Sequence, residues 1–323
     1  MAHRYTIFAI DSFIYETEYN MALNRTNKMA WMVETIRKAG RISFNDLNQK
    51  WIDNDDMSQG KPLPKRTLHN WKNAILDTFG ILIECEQFGL HRYYIANPED
   101  LKGNSIEQWL LDTYAVSNSL MENKSIKDRI ILENIPSGRE YLDIIIDAMR
   151  NSQVLQITYY NYWRDEVREY KIDPYCVKLF RQRWYVVAHL HGVESPLIFC
   201  LDRIRKLFSV EGEKYVYPAS FSPEEFFSNC FGVMVGYDIK AEKVVLKVAA
   251  SQANYLRDLP LHPSQEETER HKDYSLFTLY LRPTFDLKQE LLWNGDFVEV
   301  LKPTWLRKEM AELIEKMNNK YKE

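Results

Sequence analysis

The hydrophobic period changes at Gln153, and this change divides the chain into a helical first part and a strand-rich second part. Up to that point apolar residues recur three and four apart, which lines one face of a helix; beyond it they alternate, as on a strand. Leu155, Ile157 and Tyr159 alternate with Gln156, Thr158 and Tyr160. Two such patterns in succession over 323 residues imply an α+β chain of several domains.

The first part is ordered. Residues 25–38 place Met29, Met32, Val33 and Ile36 on one helix face, and Ala39-Gly40 ends that helix. Ser43 is positioned to cap a second helix through Trp51. A polar stretch from Asp53 to Leu63 follows, then a third helix from Pro64 to Phe79 with Gly80 as its stop. Two β-like runs, Ile81–Gln87 and Arg92–Ala96, flank a Phe88-Gly89-Leu90 turn. Three helices and a hairpin within residues 21–100 form a winged helix-turn-helix pattern. On the third helix Leu68, Trp71, Ile75 and Phe79 form the apolar stripe. Lys65, Arg66, Thr67, His69, Asn70, Lys72 and Asn73 remain for the other side. Such a face offers cations to phosphates, and amide or guanidinium groups to base edges in a major groove. Arg92 on the wing is expected to touch DNA backbone. A solvated helix face would carry the same residue types; the helix order, the wing and the absence of acids favour DNA binding.

Residues 101–150 read as a helical bridge, with helices at Ile106–Met121, Ile126–Glu133 and Gly138–Arg150. After β-like Gln153–Tyr160, further strands are expected at Glu169–Ile172, Tyr175–Leu179, Arg183–His191, Leu197–Leu201 and Ile204–Val210, making a small barrel or sandwich over residues 151–212. A linker spans 213–240. Residues 241–323 alternate strands at Val244–Val248, Leu276–Leu281 and Val298–Leu301 with helices at Asp286–Leu292 and Leu306–Tyr321.

The net charge of -4 is unevenly distributed. Lys61–Asn73 holds four basic residues and no acid, and Lys178–Lys206 holds six basic against two acidic. Local clusters of this kind, not the total, decide whether phosphates are attracted. The four Cys lack C-x-x-C spacing and read as thiols of a reducing cytoplasm. No run of apolar residues is long enough for a membrane span, and a secretory leader is not expected. Residues 1–20 read as an arm or an upstream start-codon artefact.

Asp173-Pro174-Tyr175, Arg183-Trp184-Tyr185-Val186-Val187-Ala188 and Phe199-Cys200-Leu201-Asp202-Arg203-Ile204 make residues 151–212 resemble the WYL domain of bacterial transcription regulators. Val186 stands where the family's naming triplet has Leu. Leu261-His262-Pro263-Ser264-Gln265, Gly295-Asp296-Phe297-Val298-Glu299-Val300-Leu301 and Pro303-Thr304-Trp305-Leu306-Arg307 resemble the WCX-type extension that follows that domain. The likeness covers residues 21–321. It implies an SH3-like or Sm-like barrel and a nucleotide or short single-stranded nucleic acid as effector. The expected assembly is a homodimer whose two heads meet two half-sites of double-stranded DNA. Two departures stand out: Cys200 where the family often has a basic residue, and Asn70-Trp71 where relatives commonly show Arg-Asp.

Tyr159, Arg183, Tyr185, His189, Arg203 and Arg205 are the candidate effector contacts. Alternation puts Arg183, Tyr185, Val187, His189 and His191 on one strand face, with Trp184, Val186, Ala188 and Leu190 turned to the core. A guanidinium, a phenol and an imidazole in a row suit phosphate pairing and base stacking. Arg203 and Arg205 are expected side by side on a neighbouring strand, and Tyr159 as a stacking partner. His189-x-His191 offers two imidazoles to a metal, yet no Cys, Asp or Glu stands at a convincing spacing to complete a site. No phosphate-loop, nucleophile-elbow or H-E-x-x-H motif is present. Neither an enzymatic activity nor a cofactor is expected. Two other classes compete with a regulator: a nucleic-acid-sensing accessory or defence-system protein, and a nucleotide-processing enzyme acting through His189.

Overall fold

A computed structural model describes residues 25–99, 105–122, 129, 131 and 138–322. The arm expected at 1–20 lies outside them, as does the helix expected at Ile126–Glu133 apart from positions 129 and 131. The chain forms two compact units, Met1–Leu132 and Glu133–Glu323. Both mix helices with antiparallel strands.

The first unit contains α1 (25–39), α2 (Phe44–Asp53), α3 (Asp55–Ser58), α4 (Lys65–Phe79), β1 (Ile83–Cys85), β2 (Tyr93–Ile95) and α5 (Ile106–Glu122). The Ser43 hydroxyl caps α2 by accepting from the Asp46 N–H at 3.2 Å. The stretch expected to be merely polar contains α3, because the Asn54 side chain accepts from the Met57 N–H and starts a new turn. Gly80 ends α4 with φ of +67°, a conformation suited to glycine. Met32, Ile36, Leu47 and Ile75 are fully enclosed. Trp31, Trp51 and Trp71 join α1, α2 and α4 edge to face, with ring centres 5.3 and 5.4 Å apart. Ile42 and Tyr93 exchange backbone hydrogen bonds at 3.0 and 2.7 Å, tying the hairpin to the α1–α2 connection. Leu111 of α5 joins this core.

The second unit begins with α6 (Leu142–Arg150), whose Ile145 and Ala148 enter the core of a five-stranded antiparallel sheet. Its strands are β3 (Gln153–Asn161), β4 (Glu166–Phe180), β5 (Arg183–Leu190), β6 (Leu197–Cys200) and β7 (Ile204–Lys214), in the order β6-β5-β4-β3-β7. Where two strands were expected, β4 runs unbroken through Asp173-Pro174. A register shift between Pro174 and Cys176 accommodates the proline, which has no N–H to give the ladder. A 3-10 turn, Leu201–Arg203, carries the chain from β6 to β7. The barrel does not close: among the described residues the edges β6 and β7 do not pair with each other. Leu155, Ile157, Ile172, Val186 and Leu201 are fully buried, at about 1.5–3 kcal/mol each.

The linker beyond β7 includes α7 (Pro223–Phe227) and is pinned to the sheet, Tyr215 donating to the Pro174 carbonyl and Tyr237 to that of Pro196. A second sheet follows, ordered β11-β8-β10-β9, from β8 (Glu242–Ala249), β9 (Glu266–Arg270), β10 (Tyr274–Leu281) and β11 (Val298–Lys302). The helices α8 (Ala250–Asp258), α9 (Phe285–Trp293) and α10 (Thr304–Asn319) complete it around Val244, Leu246, Val248, Phe277, Leu279 and Leu306. Edge strand β9 is exposed along its whole length and reads Glu-Glu-Thr-Glu-Arg.

Candidate functional site

On α4 the buried residues are Leu68, Trp71, Ile75 and Phe79, as the spacing predicts. Lys65, Arg66, His69, Asn70 and Asn73 are exposed, and Thr67 and Lys72 are half-buried. Arg66, His69, Asn70 and Asn73 follow the spacing of one helix face, so a single surface presents them together. Lys65 and Lys72 sit off this stripe, their ammonium groups 5.4 Å from the Phe44 ring centre and 5.6 Å from that of Tyr93. Arg92 is paired within the protein. Its Nε and one terminal nitrogen donate to Glu86 at 3.0 Å each, and Arg41 donates to the same carboxylate. Arg92, then Arg41, holds the Glu86 carboxyl down at a pKa of about 2. The hairpin therefore presents Arg92 braced, together with Arg41 of the α1–α2 connection, on one carboxylate and not as a lone arginine. At its tip Phe88 and Leu90 are exposed.

In the second unit the side chains of β5 and of the 3-10 turn meet. Arg183 forms an ion pair with Asp202, and the Cys200 thiol donates to the other Asp202 oxygen. Tyr185 lies beside Cys200; burial, then the thiol, pushes its phenol up to about 12. Burial and the Asp202 carboxylate push the Cys200 thiol to about 11, so it stays protonated. Arg203 lies in the turn, not on a strand, because the chain bends before β7 begins. Its guanidinium stacks 4.2 Å over Tyr162, while its buried Nε has no hydrogen-bond partner among the described residues. Arg205, on β7, stacks 5.2 Å over Tyr160.

Tyr159 does not serve as a stacking surface. It is 8% exposed, packs edge-on against Phe199 at 5.1 Å, and accepts the Cys200 N–H at 3.3 Å. Its neighbours are core residues, and its strand alternation already placed it with Leu155 and Ile157. The proposed open row on β5 is interrupted too, since Val187 is fully buried. This separates Arg183 and Tyr185 from His189. The structure brings Arg183, Tyr185 and Arg203 together, and leaves His189 in a second group.

That second group centres on Asp173, which the antiparallel register sets opposite His189. His189 Nδ1 and His191 Nε2 lie 3.3 and 3.4 Å from the same oxygen, Oδ2. Asp173 is 6% exposed, and its Oδ1 has no hydrogen-bond partner among the described residues. Leaving such an atom unsatisfied costs about 1–3 kcal/mol. The Tyr175 ring is parallel to that of His189, with centres 6.3 Å apart, and Tyr215, Tyr217 and Phe221 extend the aromatic wall.

Residues 140–208 match the family model of the WYL domain. Residues 240–317 match that of the WCX domain. The chain carries a WYL domain followed by a WCX domain. Both groups of side chains on the first sheet lie inside the WYL match, whereas Tyr215, Tyr217 and Phe221 follow it. Among solved structures, the proteasome accessory factor B/C of Arthrobacter aurescens aligns at 16% identity and TM-score 0.34, covering 89% of this chain and 46% of that one. The chain thus spans under half the length of that factor. A CRISPR Cas-related protein aligns at 12% identity and TM-score 0.38, covering 93% of this chain and 85% of its own. No curated protein matches the chain.

Asp173, Asp202, Tyr162 and Tyr175 are members of these groups that sequence reasoning left out. Asp173 and Tyr175 sat in the Asp-Pro-Tyr signature, yet their approach to His189 depends on the β4–β5 register. Among the described residues no helix is long and apolar enough to cross a membrane.

Proposed function

We propose that this WYL-domain protein is a DNA-binding transcription regulator whose first unit is a winged helix-turn-helix and whose WYL domain senses a nucleotide or short single-stranded nucleic acid. The observation that carries the first half is the α4 surface. Arg66, His69, Asn70 and Asn73 form an exposed polar stripe with no acid among them, on a helix whose opposite side is locked into the core. A helix held this way can lie in a major groove, with amide and guanidinium groups toward base edges. Arg92 of the hairpin and Arg41 of the α1–α2 connection, both braced on Glu86, carry a net positive charge beside it and suit phosphate contact.

The effector half rests on Arg183, Tyr185 and Arg203 around Asp202. Two guanidinium groups beside one carboxylate leave net positive charge for a phosphate, and Tyr185 and Tyr162 offer ring faces. The strand order, with β3 between β4 and β7 and a 3-10 turn before the last strand, supports an incompletely closed SH3-like or Sm-like arrangement. The regulator acts as a homodimer in the cytoplasm, and effector binding changes how two heads meet two half-sites. A coupling of about 1–3 kcal/mol between the sites would make a useful switch.

Fluorescence anisotropy of the full chain with duplex from its own upstream region tests the reading, at several salt concentrations and with short oligonucleotides added. Sequence-preferring binding that weakens steeply with salt and shifts with oligonucleotide is the expected result. Oligonucleotide binding without duplex binding would overturn the regulator in favour of a nucleic-acid-sensing accessory protein.

A further inference from the structure

The group around Asp173 has a composition and a geometry that effector binding does not use. Its sequence separation hid it: His189 follows Asp173 by 16 residues, and only the β4–β5 pairing brings them face to face. Two imidazoles and one carboxylate then point at a common volume, with their ligand atoms all within 4.8 Å of one another.

We propose that Asp173, His189 and His191 bind one divalent transition-metal ion, with Zn2+ the best fit. Four features support this. First, the donor set is two nitrogens and one oxygen, which suits Zn2+ and its late first-row neighbours and disfavours Mg2+ and Ca2+, ions that prefer oxygen shells. Second, the spacing agrees. Ligand atoms around a tetrahedral ion with bonds of about 2.0–2.1 Å lie about 3.3–3.4 Å apart. The two imidazole nitrogens lie 3.3 and 3.4 Å from Asp173 Oδ2.

Third, the carboxylate is oriented but incompletely used. Asp173 is more than nine-tenths buried, and Oδ1 lacks any hydrogen-bond partner among the described residues. Tyr215, the nearby phenol, donates instead to the Pro174 carbonyl. A cation at the mouth of this carboxylate would balance its buried negative charge. Fourth, the ligands are held on one side and open on the other. The parallel Tyr175 ring supports the His189 plane, whereas the His191 side chain is 63% exposed. Three protein ligands with an open side leave a fourth position for water or for a donor atom of a bound molecule, as in zinc sites that are not purely structural.

This inference stands apart from the regulator reading, because it needs neither duplex binding nor the Arg183–Arg203 group. Its test is titration of the full, tag-free chain with Zn2+ against a chromophoric chelator, with Co2+ absorption as a second readout. One Zn2+ per chain is expected, together with the visible bands of tetrahedral Co2+. His191→Ala removes a mostly exposed side chain and should weaken Zn2+ by about tenfold or more while erasing the Co2+ bands. Asp173→Asn should do the same in protein whose circular dichroism matches the parent. His271→Ala, which alters an exposed histidine beside Glu269 in the WCX domain, should change neither. Failure of the parent chain to take up Zn2+ stoichiometrically would overturn the proposal, as would uptake unchanged by His191→Ala.

Discussion

Gly138 rests so closely against the Leu201–Asp202 peptide that a Cβ on it would overlap the Asp202 amide nitrogen. Its φ of +66° is also one that L side chains rarely adopt. The turn that presents Asp202 and Arg203 is therefore seated on a residue with no side chain. Gly138→Ala should cost at least about 1–2 kcal/mol from the left-handed backbone alone, with the overlap added. Urea unfolding of the second unit's signal checks this; an unchanged midpoint would mean the turn can move aside.

Arg66→Ala should weaken duplex binding and leave the fold intact, because the side chain is exposed and α4 keeps its buried stripe. If Arg66 meets a phosphate, the slope of log affinity against log salt should fall by about 1. Anisotropy measured at several salt concentrations gives both quantities. Affinity equal to that of the parent at low salt would remove α4 as the reading helix.

Arg203→Ala should weaken oligonucleotide or nucleotide binding while sparing the bare duplex, since Arg203 belongs to the second unit and Arg66 to the first. Competition anisotropy with labelled oligonucleotide separates the two effects. Loss of both activities together would point to misfolding of the turn, which circular dichroism would reveal.

Acid should loosen the β1–β2 hairpin. Glu86 is held at about 2 in the folded chain, below its ordinary 4.5, by Arg92 and then Arg41. A depressed carboxyl contributes its full stabilisation above the unfolded value, and loses it as pH falls through the folded one. The contribution of this ion pair is thus expected to disappear between pH 4.5 and 2. Glu267, held at about 2 by Arg257, should behave alike in the WCX domain. Glu86→Gln should flatten the acid dependence measured by hydrogen exchange in the hairpin, and an unaltered pH profile would contradict the brace.

Cys200 should resist alkylation. Burial and Asp202 raise its thiol to about 11, which leaves little thiolate to react at mildly alkaline pH. Mass spectrometry of the native chain treated with iodoacetamide should find Cys200 modified far more slowly than in the urea-unfolded chain.

In the first unit α1 and α4 were legible because each carries an amphipathic stripe with its own stop signal. Leu68, Trp71, Ile75 and Phe79 followed by Gly80 is the clearest case. What escaped was held by tertiary contact. α3 depends on the Asn54 cap, and β9 has no apolar residue to alternate, being a strand only because β10 pairs with it. The same distinction applies to the candidate sites. Arg183 and Tyr185 could be grouped from strand alternation alone. Asp173 could not be joined to His189 without the register, nor Arg203 separated from Arg205 without the turn between β6 and β7. Tyr159 failed as a stacking residue because aromatic character does not distinguish a core ring from a pocket ring.

The charged edge of the WCX sheet has a consequence for assembly. Along β9 three glutamates and one arginine stand where a neighbouring strand would have to dock. A second copy laid against that edge would bring like charges into register and strip water from them, so this edge discourages continuous sheet formation between chains. Self-association of the WCX domain must then use surfaces other than β9, and a high local concentration of chains would not drive them into fibres through that strand.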